Sequence, residues 1–263
     1  MLIQIILSRA NFLIELLIIY PFFYSFGSEI KKNTLSVKAN EALEWFQNEK
    51  KLVALGSVKI KIDSRNISAN KVTVFYEGEI NQSNILKILA EGKASFNELD
   101  MEVSSNKIDY DFISEKIVLS GGDIKVIFPN IEIKSDNKLD FYKKDNFFDL
   151  FGSSSIVFDK NNYLQASNIR IFLDSSNQIK TFNTSKNSFF KSLDKGLDIS
   201  GEKMLYDKSL SILEVKNNVI INQGNNKLNG DYAKVDIAKG ISTMLSKNSG
   251  FISGEFVNLN WKK

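Results

Sequence analysis

Apolar and polar residues alternate along most of the chain, and the pattern is clearest in residues 52–77. There Val58, Ile60 and Ile62 alternate with charged residues, which predicts a strand with one wet face. The polar triplet at 64–66 predicts a turn, and a second alternating run follows it. In that run the apolar parity shifts by one residue at Asn70, which predicts a bulge or bend there.

Most of the remaining chain consists of loose copies of this unit. The predicted entering strands of seven units cover residues 37–45, 67–76, 101–110, 131–142, 164–173, 197–206 and 228–237. Glycines are predicted to open several return strands, and three of them, Gly92, Gly122 and Gly152, are spaced 30 residues apart. A loop at 185–195 interrupts the spacing. A period near 30 with two strands per unit predicts an all-β array that stacks its units edge to edge.

The alternation gives every strand one apolar face, and a single sheet cannot leave that face in water. The array therefore has to fold the face inward, as a sandwich or a rolled jelly roll. The simpler interpretation of the inner face is a packed core. A binding groove is the alternative, favoured by the open ends of a stacked array and by aromatic residues that recur along the strands: Trp45, Tyr76, Phe96, Tyr110, Phe128, Phe141 and Tyr206.

Residues 1–28 differ from the rest of the chain. An arginine precedes an apolar stretch at 12–26, and Gly27-Ser28 leads into a polar run. This order predicts a secretory signal peptide. A retained membrane anchor is the alternative, although the cleanly apolar part at 16–26 is shorter than the roughly 20 residues that span a bilayer. The repeat domain is predicted to cover residues 33–261.

The composition argues against catalysis and against nucleic-acid binding. The chain of 263 residues has no cysteine and no histidine, which excludes thiolate chemistry and a Ser-His-Asp triad. Its charges, 34 basic and 31 acidic, are mixed along the chain, so no basic patch for nucleic acid is predicted. Asp109 and Asp111 could share a face, but two alternating carboxylates on a strand are a weak signal for a glycosidase pair or a metal site. We therefore predict a non-enzymatic protein without a cofactor or a metal.

Two stretches carry a family resemblance. Residues 37–77, VKANEALEWFQNEKKLVALGSVKIKIDSRNISANKVTVFYE, resemble the opening repeat of the LptA/OstA-like family of periplasmic lipopolysaccharide-transport bridge proteins. Residues 218–245, NVIINQGNNKLNGDYAKVDIAKGISTML, are similar to a later repeat of that family. The shared pattern is a strand ending in a small residue and Asn or Asp, a return through Ala-x-Gly-x-Val, and then Ile-x-Ala-Asn-x-Val. These motifs are structural rather than catalytic.

The resemblance implies a β-jellyroll of stacked antiparallel strands whose interior shelters the acyl chains of lipopolysaccharide (LPS). It also implies a periplasmic location. The protein is then expected to pair by strand augmentation with the other LPS-transport proteins of the inner and outer membranes, and to associate head to tail with further copies of itself. The alternatives are the membrane-anchored partner of the same export pathway and a structural or adhesive β-solenoid at the cell surface. The expected lipid-binding lining is Leu35, Val37, Ala39, Val58, Ile60, Ile67, Ala69, Val72, Val74 and Tyr76.

An open array has two unpaired edges, and the sequence places them at the two ends of the repeat domain. We expect one near residues 35–40 and the other near residues 251–259. The second stretch, FISGEFVNL, has one charge and no proline. Monomeric proteins usually protect such an edge with lysine, proline or a bulge. The stretch therefore predicts head-to-tail association through backbone pairing.

Overall fold

All regular structure in the computed structural model of the chain is β-strand, over the residues that it describes: 35–78, 84–246 and 251–257. No helix in these residues is long and apolar enough to cross a membrane. The predicted signal or anchor segment at 1–28 lies outside the described residues. The strands are β1 (Leu35–Lys38), β2 (Ala42–Phe46), β3 (Lys51–Ile62), β4 (Arg65–Glu77), β5 (Asn84–Glu98), β6 (Met101–Asp111), β7 (Lys116–Ser120), β8 (Ile124–Phe128), β9 (Ile131–Ser135), β10 (Lys138–Tyr142), β11 (Phe147–Phe158), β12 (Asn162–Leu173), β13 (Ile179–Ser185), β14 (Ser188–Ser192), β15 (Leu197–Gly201), β16 (Lys203–Asp207), β17 (Ile212–Gln223), β18 (Asn226–Asp236), β19 (Ile241–Leu245) and β20 (Ser253–Glu255).

The strands form one antiparallel meander in which every bent strand, except the first and the last, pairs with the one before it and the one after it. Eight strands run through a bend: β3, β4, β5, β6, β11, β12, β17 and β18. The other twelve strands form six bent pairs, which are β1/β2, β7/β8, β9/β10, β13/β14, β15/β16 and β19/β20. The described chain thus holds seven two-strand units, and every predicted entering strand coincides with the first bent strand of a unit. The predicted all-β fold of stacked antiparallel strands is confirmed.

The bend divides the array into two sheets that face each other across one hydrophobic core. The first sheet contains β1, β8, β9, β14, β15, β20 and the adjoining halves of the long strands, and the second contains β2, β7, β10, β13, β16, β19 and the other halves. Phe128 of the first sheet lies 6.0 Å from Phe148 of the second, between ring centroids. Phe158 and Phe182 meet in the same way at 6.3 Å. Side chains of both sheets therefore fill the space between them.

The glycines mark the bends, and their predicted position at the openings of return strands is wrong. Gly56 and Gly92 each have a φ of 79° and lie in the middle of β3 and β5. Gly122 and Gly152, with φ of 85° and 87°, occupy the corresponding position further along. At the later bends the left-handed conformation is adopted by residue pairs without glycine, at 186–187 and 217–218. A left-handed backbone redirects the strand from one sheet into the other.

The irregularity predicted at Asn70 is confirmed. The register between β4 and β5 shifts between Ser68 and Lys71, at the level of the bend. The Asn70 side chain packs over Gly92, where an added Cβ would lie 2.8 Å from its amide nitrogen. The loop predicted at 185–195 is wrong, because residues Ser188–Ser192 form β14, which pairs with β12 and β15.

Candidate functional site

The inner face of the first repeats contains the predicted lipid-binding lining, most of it fully enclosed. Six of the ten residues are buried, with exposures of 0–5%: Val58, Ile60, Ile67, Ala69, Val72 and Val74. They belong to β3 and β4 and point between the two sheets. In this structure they contact other core side chains, so a ligand reaches them only if the sheets part.

The remaining four residues of the predicted lining are half-buried at the N-terminal end of the array. Leu35, Val37 and Ala39 pack against the core from β1 and the residue after it, and no strand covers them on the other side among the described residues. Tyr76 is half-buried at the end of β4, where its hydroxyl accepts a hydrogen bond from Trp45 Nε1 at 2.6 Å. These four residues therefore lie where the interior becomes accessible.

Two further inner-face residues extend this accessible end, and the predicted lining omitted them. Leu43 and Trp45 of β2 face the same way as Leu52 and Val74 across the ladder, and are 55% and 49% exposed. The signal was present in the sequence, since Leu43 and Trp45 alternate around Glu44. We call Leu35, Val37, Ala39, Leu43, Trp45 and Tyr76 the N-terminal apolar rim.

The middle of the interior is a packed core. Phe96, Phe148 and Phe182 are fully buried, with exposures of 0%. Phe141 stacks on Phe148 at a centroid distance of 4.0 Å. In this part of the chain the inner face is a packed core, as the simpler interpretation of the alternation predicts. Exposed apolar side chains in the middle of the array lie in turns, as Leu99 does, or on the outer face, as Phe151 and Phe172 do.

A cluster of charged residues connects the two sheets along the edge opposite the bend. Glu98, at the end of β5 in the first sheet, accepts a hydrogen bond from Arg65 Nε at 2.8 Å. Its other carboxylate oxygen pairs with Lys143, which follows β10 in the second sheet. Burial works against the charge on Arg65, but its hydrogen bond and ion pair with Glu98 outweigh that effect and raise the pKa of Arg65. Because Glu98 binds a cation from each sheet, this mouth cluster of Arg65, Glu98 and Lys143 holds the sheets together.

Aromatic rings extend the mouth cluster into the core. Phe112 stacks on Tyr110 at a centroid distance of 4.1 Å, and the Arg65 guanidinium lies 5.7 Å from the Phe112 ring. The Lys143 ammonium lies 5.6 Å from the Tyr110 ring. Cations at this distance from a ring face are attracted by its quadrupole. The cluster is therefore joined to apolar residues on its inner side.

Several turns of the second sheet each contain an aspartate whose carboxylate accepts hydrogen bonds from backbone N–H groups. Asp174 accepts hydrogen bonds from the N–H groups of Ser176 at 2.8 Å and Gln178 at 3.0 Å. These bonds, that of Gln178 above all, lower the pKa of Asp174. Asp111, Asp207 and Asp236 do the same in their own turns, so they have structural roles.

The two alternating aspartates singled out in the sequence, Asp109 and Asp111, have different partners in the structure. Asp109 pairs with Lys87 at 2.7 Å on the outer face of the second sheet, and Asp111 is used by its turn. No group of three or more acidic residues could hold a metal ion among the described residues. Asp109 therefore forms an ion pair, and Asp111 stabilises a turn.

Comparison with known proteins identifies a family. A family model described as "LptA/(LptD N-terminal domain) LPS transport protein" matches residues 36–139 and again residues 132–241. The two matches follow each other and together span most of the array. No protein with a curated description matches the chain.

Among solved structures, the chain is similar to LptH from Pseudomonas aeruginosa, described as the LptA-homologous periplasmic component of the conserved lipopolysaccharide transport device. The identity is 19%, the TM-score is 0.37, and the match covers 42% of this chain and 76% of LptH.

Proposed function

Because the chain belongs to the LptA/(LptD N-terminal domain) family of LPS transport proteins, we propose that it binds LPS in the periplasm with the acyl chains against its inner face. Acyl chains need a continuous apolar surface that excludes water. The inner faces of the seven units supply it, because apolar side chains of both sheets line the interior along the described array.

The observation that carries this proposal is the N-terminal apolar rim. Leu43 and Trp45 expose about half of their surface although they lie on the inner face, which is buried in the middle of the array. An exposed apolar patch that continues into a core is typical of a binding or docking surface. The rim is therefore the place where an acyl chain first meets the interior.

Photo-crosslinking on β2 tests the proposal. A photoreactive residue at Leu43 should capture LPS, whereas one at Glu44, the next residue on the outer face, should not. Capture that is equal at the two positions, or absent at Leu43, would contradict acyl-chain binding at the inner face. LPS from which the acyl chains have been removed serves as the control ligand and should not be captured at Leu43.

We also propose that the protein joins copies of itself and other transport proteins head to tail into a bridge between the two membranes. In the described residues β1 and β2 pair only with β3, and β19 and β20 pair only with β18. Each end of the array thus offers unpaired backbone groups. Such edges are templates for adding a strand of another chain.

The C-terminal edge is also apolar on its exposed side. Phe251 is 97% exposed, and Phe256 and Val257 are 56% and 53% exposed. The strand predicted over 251–259 is shorter in the structure, since β20 covers Ser253–Glu255 and residues 258–259 lie outside the described ranges. Contacts of this kind are heterologous and give a ladder of sizes.

A further inference from the structure

The outer face of the first sheet carries a polar groove at the same N-terminal end. It is formed by β1 and by the parts of β3, β4 and β5 that belong to the first sheet, and it has a volume of about 320 Å³. Its floor and walls include Lys38, Lys59, Lys61, Ser68, Ser95 and Asn97. We call it the lysine groove. Its volume is in the range of small-ligand sites, roughly 300–1,000 Å³.

The three lysines of the groove are close together and unneutralised. Lys38 of β1 lies directly opposite Lys59 of β3 in the ladder, and Lys61 follows on the same face. Within the described residues none of the three makes an ion pair. Like charges directly opposite each other destabilise a ladder. An anion in the groove would remove that repulsion.

The strand segments that form the groove contribute no carboxylate to it. Asp63 in the turn after β3 and Glu102 of β6, opposite Asn97, lie at its margins, but among the described residues neither forms an ion pair with the three lysines. In the parts of β1, β3, β4 and β5 that belong to the first sheet, the acidic residue is Glu98, which is engaged in the mouth cluster. Further along the array, lysines on the outer face have acidic partners across the strands, as Lys87 has Asp109 and Lys125 has Glu132. The groove therefore differs from these two places, where each lysine has an acidic partner.

The uncharged groups of the groove suit a saccharide. Ser68 and Ser95 are joined by a hydrogen bond of 2.7 Å between their hydroxyl oxygens, and Asn97 follows Ser95 on the same face. Hydroxyl and amide groups donate and accept hydrogen bonds, as sugar hydroxyls require. Lysine ammonium groups bind phosphate as point charges. Together these groups match a phosphorylated saccharide.

Strand β1 connects the lysine groove to the N-terminal apolar rim. Val37 points to the inner face, while Ser36 and Lys38 on either side of it point into the groove. The other edge of β1 is unpaired in the described residues. An amphiphile that crosses this edge can place acyl chains against Val37 and an anionic head against Lys38.

We propose that the lysine groove binds the phosphorylated saccharide of a glycolipid whose acyl chains lie against the N-terminal apolar rim. That the phosphosaccharide belongs to a glycolipid rests on the proposed function. The groove itself recognises phosphate on a sugar, whether or not a lipid is attached. Lipid-linked and free phosphosaccharides are therefore separate arms of the test.

The test measures binding of three probes: LPS, LPS stripped of its acyl chains, and LPS stripped of its phosphates. The variant carries Lys38→Gln, Lys59→Gln and Lys61→Gln, which remove three exposed charges that have no ion-pair partner in the part of the chain that the structure describes. The matched control carries Lys203→Gln, Lys216→Gln and Lys234→Gln on the outer face of the second sheet. Lys203 and Lys216 also lie opposite each other there, but beside Glu214.

We expect the groove variant to bind the deacylated, phosphorylated probe at least tenfold more weakly than the unmodified protein, while the control binds it unchanged. Loss of three cations about 4 Å from a phosphate supports a change of this size even in water. The dephosphorylated probe should bind both variants equally. Full binding of the deacylated probe by the groove variant, or equal weakening by both variants, would overturn the proposal. Capture of LPS at Leu43 is scored separately, so failure of the groove and failure of acyl-chain binding are distinguished.

Discussion

The bend between the two sheets can be tested by comparing alanine at two glycines with the same backbone conformation. Gly152 has a φ of 87° and Gly122 a φ of 85°. A Cβ at Gly152 would lie 2.3 Å from Asp136 Oδ1 and 2.8 Å from Asn137 Cβ, whereas a Cβ at Gly122 would have nothing within 4 Å. The pair therefore separates backbone strain from steric overlap at the bend.

The expected magnitudes follow from these two contributions. A non-glycine residue in the left-handed region costs about 1–2 kcal/mol, and both variants should lose this amount. Overpacking adds about 1–3 kcal/mol, and Gly152→Ala alone should lose it. Gly152→Ala should therefore destabilise the protein by about 2–5 kcal/mol, and Gly122→Ala by no more than about 2 kcal/mol.

Urea unfolding followed by circular dichroism compares the two variants. Stacked arrays need not unfold in one step, so hydrogen exchange of the β9 and β11 amides is measured as a local readout. Gly152→Ala should speed exchange there more than Gly122→Ala does. Equal effects of the two substitutions would show that Asp136 and Asn137 move aside freely, and would refute the role assigned to close packing at the bend.

Three further predictions concern the edge, the mouth and the turns. Phe251→Lys should abolish concentration-dependent association in light scattering, while Leu99→Lys, which changes a residue 88% exposed in a turn, should not; association of both variants would contradict assembly through this edge. Glu98→Gln and Lys143→Met should show a coupling free energy of about 1 kcal/mol in a double-mutant cycle, because the pair is only partly exposed; additive effects would mean that the mouth cluster does not join the sheets. Because the pKa of Asp174 is lowered in the folded state, its stabilisation is present above about pH 4 and is lost as the pH falls through that lowered pKa; Asp174→Asn should flatten this acid loss in urea titrations, and an unchanged pH profile would contradict the role of the turn.

The inner and outer faces of the strands could be predicted from the sequence because side chains alternate with a period of two. Val58 and Ile60 are buried, and Lys59 and Lys61 are exposed, as the alternation of this stretch predicts. The same reasoning predicted the irregularity at Asn70, since a shift in apolar parity requires an extra residue in the ladder. Local pattern is sufficient where burial depends on strand geometry alone.

The bends were harder to predict because the sequence signal for a left-handed residue is degenerate. Glycine marks both the start of a turn and a kink within a strand, so the position of Gly92 within β5 could not be deduced. At Lys186 and Asn187 the bend has no glycine. Asparagine tolerates this conformation through its short polar side chain, and the stretch therefore resembled a loop.

The accessible part of the site depends on neighbours that the alternation does not reveal. Val37 and Ile60 are opposite each other on β1 and β3 and have the same chemical character. Ile60 is buried because β4 covers its other side, while Val37 is half-buried at the edge of the array. The mouth cluster is equally invisible in the sequence, since Glu98 and Lys143 are 45 residues apart.

The energetics of admitting an acyl chain into the interior follow from what the chain would replace. Parting the sheets near Ile88 and Phe96 would expose apolar surface to water, which costs about 25 cal/mol of free energy per Å². An acyl chain that fills the gap buries a comparable apolar surface, so this contribution largely cancels. The polar contacts that bridge the sheets have no such replacement, because an acyl chain offers no charge to Glu98 or Lys143. If acyl chains enter between the sheets as proposed, the mouth cluster rather than the apolar core would set the resistance to their entry beyond the N-terminal rim.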